Sequence, residues 1–424
     1  MLNLSNIKIG IIGLGYVGLP LAVEFSKKYD VKGLDLDQNR IIELRDFFDR
    51  NNEINVEDLQ TSKNLDFVLT FDEMQDRNVF IITVPTPIDE QNKPNLSALK
   101  NASISVGNIM ARDSIVVYES TVYPGVTERI CSPLLQEASG LKYNKEFFCG
   151  YSPERINPGD DTHTLINIKK VVSGSTHETA VIIDELYSSI ITAGTYRADS
   201  IQIAEAAKVI ENTQRDLNVA LVNEFSKIFN ILGLDTTKIL DAADTKWNFM
   251  KFVPGLVGGH CIGVDPYYLT YLSSKVGYEP EVILAGRKLN DGMSIYVADE
   301  ITNSLAEYQN VEGSKVLVLG ITFKENCLDI RNSQIFKTIN ILENKGVICE
   351  IFDPIANADQ VKTLYNRSLI KELKDNFYDV ILLAVPHNEI CKMGLEKILS
   401  CGNENSLFFD LKAYFKENES DFRL

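Results

Sequence analysis

A glycine-rich turn near the start of the chain constrains the fold more than any other stretch. Residues 7–12 (IKIGII) form a continuous apolar run, G-L-G-Y-V-G follows at 13–18, and the next segment, LPLAVEFSKKY, has helical periodicity. A second apolar run, VKGLDLD, then contains Asp35 near its end. The order of strand, glycine turn, helix, strand and acid predicts a complete βαβ unit of a parallel sheet.

Each glycine of this turn has a steric role in binding a dinucleotide. Gly13 makes the tight turn, Gly15 lets the backbone approach a pyrophosphate, and Gly18 allows close contact between helix and strand. Asp35, 22 residues after Gly13, is placed to accept hydrogen bonds from ribose hydroxyls and to repel a 2′-phosphate. The stretch therefore predicts an NAD site, the alternative being a turn that only packs. Arg40 either stacks on the adenine or is solvated.

Two blocks of the chain alternate apolar runs with helical segments. Such alternation predicts two doubly wound α/β domains with parallel sheets, both Rossmann-like. The further strands expected are VFIITV (79–84), SIVVYES (114–120), KVLVLG (315–320), VICEIFDP with Asp353 after it, VILLAV (380–385) and SLFFDL (406–411). The final segment, KENESDFRL, is expected to be frayed.

A long helical pattern separates the two blocks, from Ser200 to about Leu234. At 1.5 Å per residue it predicts a helix of roughly 50 Å, suited to a domain connector or a dimer contact. We expect domains at residues 1–198, 199–310 and 311–424, the middle one all-α. The apolar face of the helix is predicted to comprise Ile210, Leu217, Leu221, Phe225, Ile228 and Leu232.

Composition excludes several classes of protein. The net charge of −17 and the pI near 4.8 argue against a nucleic-acid or anionic-membrane surface. The seven cysteines form no C-x-x-C and follow no secretory leader, so we expect reduced thiols in a cytoplasmic protein. The most apolar stretch is interrupted by glycines and Pro20 and is too short to span a bilayer. No metal site is predicted.

Cys261, in the stretch GLVGGHCIGVDP (255–266), has neighbours that a packing cysteine does not need. Gly258 and Gly259 leave room for a substrate beside the sulfur. A thiol attacks well only as the thiolate, so it needs a neighbouring cation or a positive dipole. The adjacent His260 either orients the loop or acts as a base.

The long helix supplies a candidate cation for this thiol. Lys208, Asn212 and Arg215 occur at i, i+4 and i+7 and therefore share one stripe, distinct from the apolar face. The alternative is a solvated charged face, but the stripe lacks the acid partner that such a face usually has at each i+4 step.

Several long motifs resemble the UDP-glucose/GDP-mannose dehydrogenase family, and within it the UDP-N-acetylhexosamine 6-dehydrogenases of bacterial surface-polysaccharide synthesis. They extend from residue 10 to about 335. The resemblance implies a three-domain homodimer, NAD as cofactor, a UDP-sugar-binding C-terminal domain and a nucleotide-sugar site between the two α/β domains. The motifs are GLGYVGLPLA, VPTPID, ESTVYPGVTE, YSPERINPG, EAAKVIENTQRDLNVALVNE, GGHCIGVDPYYLT and TFKENCLDIRNS.

The resemblance also implies the chemistry. The C6 hydroxyl of a UDP-sugar gives a hydride to NAD, and Cys261 captures the resulting aldehyde as a thiohemiacetal. A second NAD oxidises this adduct to a thioester, which water cleaves to the uronate. By carry-over of the motifs, Lys208 and Asn212 stabilise the oxyanion, and Glu154 is the base for hydrolysis. Asp265 would orient or activate water together with Thr121.

The same carry-over gives the binding residues. The NAD contacts implied are Gly13, Gly15, Tyr16, Val17, Gly18, Asp35, Arg40, Thr86, Thr121 and Arg331. The sugar-nucleotide contacts implied are Arg155, Ile156, Lys208, Asn212, Arg215, Gly258, Phe323 and Lys324.

Two positions depart from the family pattern, and three other functions stay open. Val253 stands where this branch often has arginine, and Leu328 replaces a usual proline.

The alternative functions are a UDP-glucose or UDP-N-acetylmannosamine 6-dehydrogenase, a two-electron β-hydroxyacid dehydrogenase in which Cys261 has no chemical role, and a sensing module without catalysis. The sequence does not distinguish the hexosamine epimers.

Overall fold

The computed structural model describes residues 6–156, 164–259 and 262–424. The chain divides into two compact units, each treated by itself below. The first comprises Met1–Glu211 with Tyr267–Tyr278, and the second comprises Asn212–Pro266 with Glu279–Leu424. The expected boundaries of three domains stay a prediction.

The first unit is built on an eight-stranded sheet in the order β3-β2-β1-β4-β5-β6-β7-β8. Neighbouring strands are parallel except β6 and β7, which are antiparallel. The elements are β1 Lys8–Ile12, α1 Gly18–Ser26, β2 Asp30–Leu34, α2 Gln38–Arg45, α3 Val56–Thr61, β3 Leu65–Val68, β4 Val79–Ile82, α4 Ser97–Ile109, β5 Ile115–Tyr118, α5 Ser132–Ser139, β6 Phe148–Tyr151, β7 Lys170–Gly174, α6 His177–Ser188 and β8 Thr195–Arg197.

The strand order of this sheet determines where a ligand can bind. Strands β4 and β5 are buried along their whole length, as expected of parallel strands covered on both faces. The order reverses on the two sides of β1, so the crevice outside the carboxyl ends of β1 and β4 is the topological switch point. The glycine turn follows β1 directly.

Helices connect the two sheets along the chain: α7 Ile201–Leu232, α8 Thr236–Asp244, α9 Pro266–Lys275 and α10 Glu281–Tyr308. Helix α7 has 32 residues, close to the predicted length. Ile210, Leu221 and Ile228 of the apolar face are exposed, whereas Lys208 and Asn212 of the polar stripe are buried. Periodicity identifies two faces of a helix, but tertiary contacts decide which of them is covered.

The second unit contains a five-stranded, fully parallel sheet in the order β10-β9-β11-β12-β13. Apolar side chains of α10 and α11 pack on one face, and those of α13 and α14 pack on the other. The fold class predicted from the sequence is confirmed. The elements are β9 Lys315–Leu319, α11 Ile335–Asn344, β10 Ile348–Phe352, α12 Ala358–Tyr365, β11 Tyr378–Leu383, α13 Asn388–Lys392, α14 Leu395–Leu399, β12 Gly402–Asp410 and β13 Phe422–Arg423.

The C-terminal segment is ordered, so the expectation of a frayed end is wrong. Phe422 and Arg423 form β13, which pairs with β12, and Leu424 is buried. Arg423 Nη1 donates to Asp235 Oδ2 at 3.0 Å. Among the described residues, every helix is too short or too polar to cross a membrane.

Candidate active site

The glycine turn of the first unit has the shape that dinucleotide binding requires. Gly13 has φ of +95°, in the region that favours glycine, and its carbonyl accepts a hydrogen bond from Thr83 Oγ1 at 2.7 Å. A Cβ at Gly18 would lie 1.8 Å from the Gly13 oxygen. A Cβ at Gly15 would meet no described atom within 4 Å, so this side of the turn is open to a ligand. Tyr16 and Val17 of the turn are half-buried.

Asp35 and Arg40 are fixed to the same turn in different ways. Asp35 is half-buried, and its two carboxylate oxygens accept the backbone N–H groups of Leu14 at 2.8 Å and Asp37 at 2.9 Å. Arg40 is only 4% exposed. Its Nε donates to Leu14 O at 3.0 Å, and its Nη1 lies 2.7 Å from Asp49 Oδ1. The solvated alternative for Arg40 is therefore wrong, and its contact with the cofactor stays a prediction.

An Asp35→Asn variant tests the predicted ribose contact. Asparagine keeps an acceptor for the Leu14 N–H but loses the charge that strengthens hydrogen bonds to ribose and repels a 2′-phosphate. We expect the KM for NAD to rise about tenfold and the preference for NAD over NADP to fall. Steady-state kinetics with both cofactors measure this, and the exposed Asp66→Asn is the matched control. An unchanged preference would contradict the assignment.

Thr86 and Thr121, predicted from separate motifs, lie side by side in the first unit. They follow the carboxyl ends of β4 and β5, and Thr86 Oγ1 donates to Thr121 O at 2.6 Å. Ser120 Oγ donates to Val84 O at 2.6 Å, and Tyr268 OH donates to Thr86 O. These bonds hold the two loops together at the edge of the sheet where the glycine turn also lies.

Glu154, Arg155 and Ile156 follow the carboxyl end of β6. Glu154 Oε1 accepts the backbone N–H groups of Arg155 and Ile156, each at 2.6 Å. Arg155 Nη2 lies 2.9 Å from Glu211 Oε1 on α7, so its guanidinium pairs with that helix. Glu154 Oε2 lies 3.1 Å from Lys170 Nζ, a buried lysine that sequence reasoning missed.

The polar stripe of α7 begins with Lys208 at the end of the first unit and continues in the second. Lys208 is 8% exposed and Asn212 is 3% exposed. Asn212 Nδ2 donates to the buried Asp265 at 2.5 Å, and its Oδ1 accepts from Arg215 Nη1 at 3.2 Å. The side chain of Asn212 is thus oriented by an acceptor and a donor, while Arg215 itself is exposed.

The loop that contains Cys261 is described only on either side of the thiol. Cys261 and His260 lie outside the described residues. In the second unit, a Cβ at Gly259, where φ is +78°, would lie 2.9 Å from the Phe323 ring. A Cβ at Gly258 would lie 3.3 Å from Phe323 Cβ. Both glycines are therefore needed for the loop to lie against Phe323.

A cleft opens at the carboxyl edge of the second sheet. Its walls come from the residues after β9, β11 and β12, which include Thr322, Phe323 and Lys324. Lys412 also lines the cleft, although sequence reasoning did not select it. Its position directly after a core strand was the available signal. Arg331 lies on a neighbouring loop, with Nη2 2.8 Å from Asp329 Oδ2.

Asp353 in the second sheet occupies a position equivalent to that of Asp35 in the first, but its carboxylate has different partners. Ile321 N donates to Asp353 Oδ2 at 2.7 Å, as Leu14 does to Asp35. Asp353 is only 7% exposed, and the same oxygen lies 3.2 Å from Nε2 of the fully buried His387. Despite its burial, hydrogen bonds from His387 and the backbone lower the pKa of Asp353.

His387 in turn fixes the loop that carries Phe323 and Lys324. Its Nδ1 accepts the Asn326 backbone N–H at 3.0 Å, which places the ring proton on Nε2, directed at Asp353. Thr322 Oγ1 donates to Lys324 O at 2.8 Å. The carboxylate of Asp353 in the second sheet is therefore structural.

Comparison with known proteins covers nearly the whole chain. Residues 7–191, 202–292 and 317–417 match, in turn, the NAD binding, central and UDP binding domains of the UDP-glucose/GDP-mannose dehydrogenase family. UDP-N-acetyl-D-glucosamine 6-dehydrogenase from Pseudomonas aeruginosa is 51% identical, over 99% of this chain and 100% of that protein. The protein of the same name from Salmonella typhi is 52% identical over the full length of both. The solved UDP-D-ManNAc dehydrogenase from Pyrococcus horikoshii has a TM-score of 0.89 at 28% identity, covering 98% of each chain.

Proposed function

The chain belongs to the UDP-glucose/GDP-mannose dehydrogenase family, and on that basis we propose that it oxidises C6 of a UDP-N-acetylhexosamine to the carboxylate in two NAD-dependent steps. UDP-N-acetylglucosamine is the first candidate substrate, because two relatives about half identical over full length carry that substrate in their names. UDP-N-acetylgalactosamine is the second, since one hydroxyl distinguishes the two sugars.

One observation favours catalysis over mere packing: α7 buries Lys208 and Asn212 of its polar stripe, whereas Ile210, Leu221 and Ile228 of its apolar face are exposed. Burying a lysine and an asparagine costs free energy, so a helix that only packs would bury the apolar face instead. Asn212 is held by Asp265, four residues beyond Cys261. This arrangement supports an oxyanion site next to the thiol.

In the proposed reaction, each candidate catalytic residue has a distinct role. NAD, when bound, accepts a hydride from C6 in each oxidation. The thiolate of Cys261 adds to the aldehyde carbon and retains it as a thiohemiacetal, so that the second oxidation gives a thioester. Lys208 and Asn212 stabilise the negative charge on the C6 oxygen. Glu154 takes a proton from the water that cleaves the thioester, and the thiolate leaves.

The cleft of the second sheet supports binding of the UDP group. Lys324 and Lys412 line it, and their ammonium groups suit a diphosphate. Because Asp353 is bonded to His387, this sheet lacks the half-buried acid that receives an adenosine ribose in the first. We therefore assign the NAD site to the first sheet and the site for the nucleotide of the UDP-sugar to the second.

The stoichiometry of NADH tests the proposal. Purified enzyme is mixed with UDP-N-acetylglucosamine, UDP-N-acetylgalactosamine, UDP-N-acetylmannosamine or UDP-glucose, and NADH is quantified per sugar consumed. We expect two NADH per sugar, with the highest kcat/KM for an N-acetylhexosamine of the gluco or galacto series. One NADH per sugar would favour a two-electron dehydrogenase instead. Binding of both ligands without any change at the nicotinamide absorbance band would favour a sensor.

The organisation of the enzyme is part of the proposal. The NAD-binding domain would comprise residues 1–198, the central domain with the cysteine loop 199–310, and the UDP-sugar domain 311–424. The exposed apolar side chains of α7 support a homodimer built on that helix. A cytoplasmic enzyme that supplies uronates for a surface polysaccharide fits the resemblance.

A further inference from the structure

A buried cluster of charges lies behind the carboxyl ends of β5 and β6 in the first unit. Lys170, at the start of β7, is 2% exposed, and its Nζ lies 2.6 Å from Glu119 Oε2 and 3.1 Å from Glu154 Oε2. Glu119 is also 2% exposed, and its Oε1 accepts a hydrogen bond from Tyr187 OH at 2.5 Å. The proposed mechanism uses only Glu154 from this cluster.

The ammonium of Lys170 is held in place from the side opposite Glu154. Burial opposes its charge, yet attraction to Glu119 and Glu154 raises the pKa of Lys170. An unpaired lysine at this depth would lose its proton, so Glu119 and Glu154 together maintain the cation, although burial also raises the pKa of Glu119 itself to about 7. Tyr187 in turn fixes the Glu119 carboxylate, which leaves Lys170 little freedom to move away from Glu154.

Glu154 is constrained on both oxygens. A carboxylate offers roughly four lone-pair positions. Two on Oε1 accept the backbone N–H groups of Arg155 and Ile156, and one on Oε2 accepts from Lys170. The side chain of Glu154 is nevertheless 12% exposed, unlike those of Lys170 and Glu119. At most one lone-pair position is therefore left, on the oxygen that Lys170 orients.

We propose that Lys170 is a positioning residue for thioester hydrolysis: supported by Glu119 and Tyr187, it holds the Glu154 carboxylate in place and turns its remaining lone pair towards the attacking water. The inference rests on the proposed function. In the step concerned, the water oxygen bonds to the acyl carbon, one of its protons passes to Glu154, and the C–S bond breaks with the electron pair on Cys261. The two hydride transfers precede this step and do not depend on Lys170.

The structure also suggests a plainer role, an ion pair that only joins β5, β6 and β7. The two roles differ in which step a substitution slows. Loss of a merely structural ion pair would lower the folded fraction or slow all steps together. Loss of a positioning residue would slow hydrolysis alone, so that the thioester accumulates.

The experiment is rapid mixing of Lys170→Met with NAD and UDP-N-acetylglucosamine, followed by intact-mass measurement. Methionine keeps the length of the side chain but removes the ammonium. We expect a burst of two NADH per subunit at the wild-type rate, then a steady state about 10- to 100-fold slower, the usual effect of losing a supporting partner. The resting mass during turnover should be that of the acylated enzyme. Lys169→Met, the neighbouring exposed lysine, is the matched control and should match wild type.

A second variant covers the chance that Lys170→Met does not fold, since it leaves Glu119 buried without its cation. The double variant Glu119→Gln/Lys170→Met removes both charges and keeps a partner for Tyr187, and the same burst and acyl enzyme are expected. A first NADH that slows in parallel with the steady state, with no acyl enzyme, would overturn the inference. Failure of the proposed function differs from this, because wild-type enzyme would then yield fewer than two NADH per sugar.

Discussion

Replacing Gly18 by alanine is expected to abolish NAD binding and to destabilise the first sheet. The added Cβ would lie 1.8 Å from the Gly13 oxygen and 2.5 Å from Thr83 Oγ1. The nearer obstacle is backbone in the tight turn, so it cannot rotate away as a side chain would. We expect a loss of about 3 kcal/mol or more in the free energy of unfolding, at the upper end for overpacking.

Denaturant unfolding and NAD titration measure the two effects, and Gly15→Ala separates them. A Cβ at Gly15 meets no described atom within 4 Å, so the midpoint of thermal unfolding should stay within about 2 °C of wild type. NAD binding should still weaken, because the backbone of Gly15 is where the pyrophosphate approaches. Wild-type affinity in Gly18→Ala would contradict the position of the cofactor.

Cys261→Ala should lower uronate formation about 1,000-fold or more, since the variant cannot form the covalent adduct that the second oxidation requires. NADH and uronate are measured separately over many turnovers. At most one NADH per sugar should appear, with aldehyde or its hydrate as the product.

The control is Cys391→Ala in α13, which removes a thiol from a helix outside the proposed site. It should keep wild-type turnover and stoichiometry. If Cys261→Ala also turned over at the wild-type rate, the enzyme would be a two-electron dehydrogenase, and the covalent mechanism would be wrong.

The parts of the fold that could be predicted are those with long apolar runs and diagnostic glycines. The runs at 7–12, 79–84 and 315–320 contain β1, β4 and β9, because fully buried parallel strands need continuous apolar sequence. Strands at sheet edges are short and half-exposed, as β8 is, and leave a weak pattern. The terminal strand β13 occurs in a polar segment whose order depends on Arg423 and Asp235, a pair 188 residues apart.

Site residues that belong to a sequence motif could be predicted. Residues that reach the site only because a distant strand pairs into the same sheet could not. Asn212 and Asp265 belong to two separate motifs, and the structure joins them by a hydrogen bond. Lys170 and Glu119 were missed because one begins a strand and the other follows one, and only the sheet brings them together. Periodicity likewise could not show that α7 would bury Lys208 and Asn212.

His387 bears on how the enzyme responds to a large excess of cofactor. If NAD binds to the first sheet and the sugar nucleotide to the second, as proposed, the adenosine of surplus NAD would find no available carboxylate on the second sheet, because Asp353 Oδ2 is bonded to Nε2 of the buried His387.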